Sequence, residues 1–230
     1  MSLPQRVTKT HATGNDFVVY LDKTGDFKPT VDEIRFLCDR HFGIGGDGLI
    51  RLTKPELVSD LSDEQIMAVQ AGDAEWFMDY RNADGSLAEM CGNGTRAITL
   101  FAQREGVADS TEPFRLGTRA GVKILTPRGN VKPYGANVFQ VEMGEWKIGE
   151  TDAYEVTIPG NDGSARGTFV DMGNPHVVAV IEDAFSTLPV VEDLDLVTKP
   201  VVNPTIESDQ NVEFVRIDDI DHNTAVGDRK

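Results

Sequence analysis

Apolar positions along this chain mostly follow the two-residue period of strands, broken by three stretches with helical period. Residues 17–21, 49–52, 76–80, 114–116, 122–125 and 138–141 are short apolar or alternating runs bounded by Gly, Pro, Asn or Asp, the pattern of strands. Residues 7–9 form a further strand segment, joined to 17–21 through the polar corner His11-Ala12-Thr13-Gly14-Asn15-Asp16. Runs at 154–158, 168–171, 177–181 and 211–217 continue the strand pattern towards the end of the chain. The first helical stretch is 30–41. Thr30 and Glu33 have capping-box spacing, and Ile34, Leu37, Cys38 and His41 share a face. Cys38 is therefore expected in the core. Ser62 and Gln65 repeat the capping box for a short helix that stops near Gly72. From Asn93 onward, Ala97, Ile98, Leu100, Phe101 and Ala102 are apolar on nearly every side, which predicts a central, buried helix ending near Gly106.

Two glycine-rich stretches need separate treatment. Gly43-Ile44-Gly45-Gly46-Asp47-Gly48 satisfies G-x-G-x-x-G, but a helix precedes it and a strand follows. A dinucleotide site requires the opposite order, so these glycines are expected to make a tight turn or a close backbone approach. The other stretch, 82–96, holds Cys91 between Met90 and Gly92-Asn93-Gly94 at the start of the central helix. Free N–H groups and the positive end of the helix dipole favour an anion there, and so favour thiolate at that position. A small buried core residue is the alternative for Cys91.

Composition narrows the partners. The chain has 230 residues, 40% hydrophobic, which is enough for one large domain or two small ones. A net charge of −16 argues against nucleic acid and anionic membrane surfaces, both of which select clustered Lys and Arg. The N-terminal segment lacks the apolar run of a signal peptide, and no stretch is long enough to span a bilayer. Two cysteines suit a reducing cytoplasm rather than a disulfide framework. Residues 54–75 are acidic and read as a solvated surface insertion. Turn residues in 127–137 suggest a domain boundary, drawn here between 133 and 134. Met172-Gly173-Asn174-Pro175-His176 echoes the Gly14-Asn15 corner and hints at two related halves.

Taken together these motifs resemble the diaminopimelate epimerase family. Gly14-Asn15-Asp16-Phe17, Gly43-Ile44-Gly45 with Asp47-Gly48, Asn82-Ala83-Asp84-Gly85-Ser86 with Met90-Cys91-Gly92-Asn93-Gly94, Gly173-Asn174-Pro175-His176 and Asn211-Val212-Glu213-Phe214 fall in the family's order. The resemblance implies an α+β fold of two similar domains, 1–133 and 134–230, each a curved, mainly antiparallel sheet around a central helix, with the substrate in the cleft between them. It implies cofactor-free interconversion of LL- and meso-diaminopimelate, in lysine and peptidoglycan precursor synthesis. Cys91 matches a catalytic cysteine. Asn15, Asn82, Asn93, Asn174 and Asn211 match substrate-holding positions, Gly92 and Asn93 a carboxylate-binding turn, and His176 the motif histidine near the site. No metal or cofactor is implied, and the partner is a small molecule; the pairing of two copies is left open.

Inverting an α-carbon requires a proton removed from one face and returned to the other, which two thiols can do. The family places its second catalytic cysteine in a Cys-Gly-x-Gly turn after the Asn-Val-Glu-Phe strand, with a Glu-Arg pair shortly before it. Neither occurs in 218–230. The resemblance therefore implies an incomplete second domain without its central helix, and weak epimerase activity for this 230-residue chain. Two other readings stand beside it: a related racemase of the same fold acting on another amino acid such as proline, and a non-catalytic remnant that only binds ligand or partner. A thiol hydrolase on Cys91 has only His11, His41, His176 and His222 to draw on, at spacings that suggest neither a triad nor a metal site.

Overall fold

The computed structural model describes residues 3–173, 175–182, 186–206 and 210–216. They fall into two compact units, 1–144 and 145–230. The first is a seven-stranded sheet in chain order: β1 (Thr8–Ala12), β2 (Asn15–Leu21), β3 (Gly48–Thr53), β4 (Trp76–Asn82), β5 (Phe114–Thr118), β6 (Gly121–Pro127) and β7 (Phe139–Glu142). Four neighbouring pairs are antiparallel, while β2–β3 and β4–β5 are parallel. Each parallel pair follows a connection that contains a helix, as a crossover demands. Those helices are α1 (Val31–Cys38) and α3 (Gly92–Arg104); α2 (Asp63–Ala71) lies in the β3–β4 connection.

The sheet curls around α3. Ala97, Ile98, Phe101 and Ala102 are buried against Phe17, Val19, Ile50, Leu52, Met78, Leu116 and Leu125, so the central-helix expectation holds for this unit. The opposite face of the sheet packs Val18, Tyr20 and Leu49 on Ile34, Leu37 and Cys38 of α1. Burial pushes the Cys38 thiol up to about 11, as a core position implies. Both expected capping boxes form, Thr30 with Glu33 and Ser62 with Gln65. The chain leaves α3 through Gly106 at φ +70°.

Three expectations change. The division falls after Gly144 rather than at 133/134, because β7 pairs with β6 and Val141 packs on the first core. The corner at 11–16 shrinks to a two-residue hairpin: Ala12 pairs with Asn15, and Thr13 and Gly14 both have positive φ, the I′ geometry that matches strand twist. The acidic segment 54–75 is not wholly solvated. Val58, Val69 and Ala74 bury themselves against Phe77.

A charge network that periodicity could not reveal lies between these layers. The Arg51 side chain is 6% exposed and that of Asp22 0%, with Nε–Oδ2 at 3.1 Å. Arg51 also faces Asp79 at 3.6 Å, and Asp79 meets Arg119 at 2.7 Å. Asp60 joins Arg81 and Arg119 at the rim.

The second unit is a sheet in the order β12 (Val201–Asn203), β9 (Tyr154–Thr157), β10 (Ala165–Asp171), β11 (Pro175–Val180), β13 (Asn211–Val215), with β8 (Lys147–Ile148) on β10. Val156, Ala165, Val177, Ala179 and Ile181 form its core. The echo between the two Gly-Asn corners is topological. Gly14 and Gly173 each lie between two antiparallel strands whose second member, β2 or β11, has a parallel neighbour on its far side, β3 or β13. Among the described residues this unit contains no α-helix. The tail 218–230, with His222, lies outside the described residues, as does Asn174.

Candidate active site

Cys91 is the N-cap of α3. Its backbone is extended (φ −139°, ψ 118°), and its Sγ accepts the Gly94 N–H at 3.4 Å. A sulfur replaces the usual hydroxyl or carboxylate of an N-cap. Gly94 is buried where a Cβ would stand 3.2 Å from Ile50 Cδ1 and 3.4 Å from Cys91 Cβ, so a glycine lets the helix start close to the core. Among the described residues, the N–H groups of Gly92 and Asn93 have no protein acceptor. They are two of the unpaired donors that every helix start leaves.

Asn15 opens β2 beside this helix start. Its Oδ1 lies 3.5 Å from Cys91 Sγ and accepts from Asn93 Nδ2 at 3.3 Å. Asn93 Oδ1 accepts from the Arg96 guanidinium and from Thr13 Oγ1 at 3.1 Å. The glycine run closes the other side. Ile44 and Gly45 N–H bond the Leu37 carbonyl, folding the run onto the end of α1, where a Cβ on Gly43 would meet the Phe36 carbonyl. Asp47 then accepts from Asn15 Nδ2 at 2.6 Å and from the Asp16 N–H at 3.1 Å. Arg40 bridges Asp16 (2.7 Å) and Asp47 (2.8 Å). Arg40, with Lys9, holds the Asp16 carboxyl well below the usual carboxylate range.

Asn82 ends β4 next to the start of β3. It pairs with Gly48, where a Cβ would fall on the Arg81 carbonyl and 2.5 Å from the Tyr80 ring. Its Nδ2 donates to Ser86 Oγ at 3.0 Å, and the neighbouring Ala83 N–H bonds the Asp47 carbonyl. Burial holds the Tyr80 hydroxyl above its ordinary range. A cavity of about 670 Å³ opens beside Thr13 and Arg96, but Cys91 does not line it.

The fold thus gathers Cys91, Gly92, Asn93 and Asn15, with Asn82 tied in through the Asp47 main chain. In the second unit His176 and Asn211 face each other across β11 and β13, and His176 Nε2 stands 3.7 Å from Glu213 Oε1. Sequence reasoning missed the supporting set of Asp47, Arg40, Arg96 and Thr13. Asp47 was visible inside the glycine run, but nothing in its spacing tied it to Asn15, 32 residues away. Among the described residues no cluster of His, Cys, Asp and Glu could hold a metal ion, and no helix is long and apolar enough to cross a membrane.

The fold has a solved counterpart. A probable proline racemase from Agrobacterium radiobacter superposes with a TM-score of 0.52 over 76% of this chain and 51% of that one, at 14% identity, a likeness of fold alone. With its two curled sheets and few helices, the chain is of the α+β two-domain class that this structure represents. Sequence comparison is more specific. The profile of the diaminopimelate epimerase family matches residues 7–148. The diaminopimelate epimerase of Thermobifida fusca is 36% identical over 215 residues, covering 92% of this chain and 70% of that protein. That of Corynebacterium aurimucosum is 38% identical over 218 residues, covering 91% and 71%. The chain belongs to the diaminopimelate epimerase family, and its enzyme class is isomerase.

Proposed function

We propose that this chain binds diaminopimelate and that Cys91 serves as one of the two acid/base groups of a cofactor-independent epimerisation, the reaction that supplies meso-diaminopimelate for lysine and peptidoglycan precursors. The observation that carries the reading is the placement of Cys91 Sγ at a helix start, 3.4 Å from the Gly94 N–H and 3.5 Å from Asn15 Oδ1. As a thiolate, Cys91 takes the α-proton and becomes the thiol, while the electron pair stays on the α-carbon and spreads into the substrate carboxylate. The Gly92 and Asn93 N–H groups suit that carboxylate, because a helix start favours the charge that develops there. Asn15, Asn82 and Asn93 would orient the amino-acid end that Cys91 deprotonates. As neutral amides, the asparagines add no charge to oppose the thiolate.

The 230 residues hold two cysteines, and Cys38 is buried at the end of α1 against the sheet. One thiol therefore serves one face, and this form should exchange the α-hydrogen of one configuration with little inversion. Incubation with each stereoisomer in D2O, followed by mass spectrometry and chiral chromatography, tests this. Exchange that disappears in Cys91→Ala is expected. Full turnover between LL and meso forms would refute the one-thiol reading. Absence of both binding and exchange would refute the epimerase reading. Exchange on proline in the same panel would instead favour the related racemase.

A further inference from the structure

Four side chains of the first unit form one line: Asp47, Asn15, Asn93 and Arg96. A carboxylate can only accept hydrogen bonds, so Asp47, 2.6 Å from the Asn15 amide, must face its NH2 group. The Asn15 oxygen is thereby turned the other way, towards Asn93 Nδ2 at 3.3 Å and Cys91 Sγ at 3.5 Å. At the far end the guanidinium of Arg96 can only donate. It binds Asn93 Oδ1, which turns the Asn93 NH2 towards Asn15. Both amides are oriented from outside, one by an anion and one by a cation, and the sulfur meets the oxygen that they share. Asp47 is itself pinned by Arg40 and the Asp16 N–H.

We propose that Asp47 is a positioning residue: by holding the Asn15 NH2 it keeps the Asn15 oxygen against Cys91 Sγ, so that the sulfur is held as a hydrogen-bond donor, the protonated thiol. This rests on the reading of Cys91 as an acid/base group, and it assigns the acid form to Cys91 before substrate arrives. Incoming substrate that competes for the Asn15 oxygen removes this acceptor; the thiol of the half-buried Cys91 then gives its proton to solvent water, and the resulting thiolate acts as base. The ionisable groups around Cys91 are Tyr80, Asp47 with Arg40 behind Asn15, and Arg96 behind Asn93. A bare through-space effect of the Asp47 charge is the competing explanation.

A double-mutant cycle on thiol alkylation separates the two. The rate of iodoacetamide labelling of Cys91 is followed from pH 6 to 10 by peptide mass spectrometry. The 230-residue chain is compared with Asp47→Asn, Asn15→Ala and the double variant. Asp47→Asn frees the Asn15 amide to turn its NH2 towards sulfur, so labelling near neutral pH should rise about three-fold or more and the profile should move to lower pH. Asn15→Ala removes the oxygen and should raise labelling alone. Asp47→Asn should add nothing in that background, and Asp47→Glu should restore the original profile. Equal shifts in both backgrounds would overturn the proposal in favour of through-space charge. An unchanged profile in Asp47→Asn would overturn it, and so would an unchanged rate in Asn15→Ala, which leaves the Asp47 loop intact should Asp47→Asn fold poorly. Absence of substrate deuterium exchange in the unsubstituted chain, with these labelling effects intact, would instead count against the catalytic reading of Cys91.

Discussion

Replacing Arg51 with methionine removes the hub of the buried charge network while keeping most of the side-chain stem. Arg51 is 5% exposed and faces Asp22 and Asp79, so the change leaves two carboxylates short of a counter-charge in a dry layer. Removing one partner of a buried pair typically costs about 3–5 kcal/mol. Here the low end applies. Asp22 keeps four backbone N–H donors, from Thr24, Gly25, Asp26 and Phe27, at 2.8–3.3 Å. Asp79 keeps Arg119 at 2.7 Å and Arg81 at 3.2 Å. A loss of about 3 kcal/mol should lower the melting temperature by roughly 6–12 °C for a unit of this size. Fluorescence of Trp76, buried in the first unit, reports that unit once the exposed Trp146 is changed to Phe. Urea unfolding of the two Arg51 forms in that background gives the difference at constant slope. Arg6→Ala, which breaks the exposed Arg6–Glu105 pair, is the control and should cost under about 1 kcal/mol. If Arg51→Met costs no more than the control, the buried network is not holding these layers together.

Other outcomes follow from the same contacts. In the native chain Cys91 should be the thiol that a thiol reagent reaches, while Cys38, buried and pushed up to about 11, should react only on unfolding; native labelling of Cys38 as readily as Cys91 would contradict the packing of α1 on the sheet. Because the folded Cys38 resists ionising, its contribution to stability is intact below the ordinary thiol range and is lost as pH climbs towards about 11, so Cys38→Ala should flatten melting temperature against pH in that window. Gly48→Ala pushes a methyl into the Tyr80 ring and the Arg81 carbonyl, and denaturant unfolding should show a loss of about 1–3 kcal/mol. Thr30→Ala removes the α1 cap and should cost about 1 kcal/mol by the same measurement; no change would mean that the capping box is not formed in solution.

The local elements were legible in the sequence because their causes are local. Thr30 with Glu33 and Ser62 with Gln65 announce helix starts through bonds that close within one turn. The apolar surround of Ala97, Ile98, Phe101 and Ala102 predicts a helix enclosed by something, and a curled sheet is what encloses it. Cys91 at the start of that helix was readable for the same reason. The boundary at Gly144 was not, because β7 joins the first sheet by pairing with β6 across the turn-rich stretch that suggested a break. Nor was the buried character of Val58, Val69 and Ala74, whose partner Phe77 lies on a strand beyond their own acidic segment.

At Cys91 the sequence by itself determined the thiol, its glycine-flanked turn and the dipole behind it. Tertiary structure alone decided what the sulfur faces. Asn15 reaches Cys91 from 76 residues away, and its amide is oriented by Asp47 and, through Asn93, by Arg96. Periodicity carries no information about hydrogen-bond polarity between distant loops. That polarity is set only when the glycine run folds onto the end of α1 and carries the Asp47 carboxylate to Asn15.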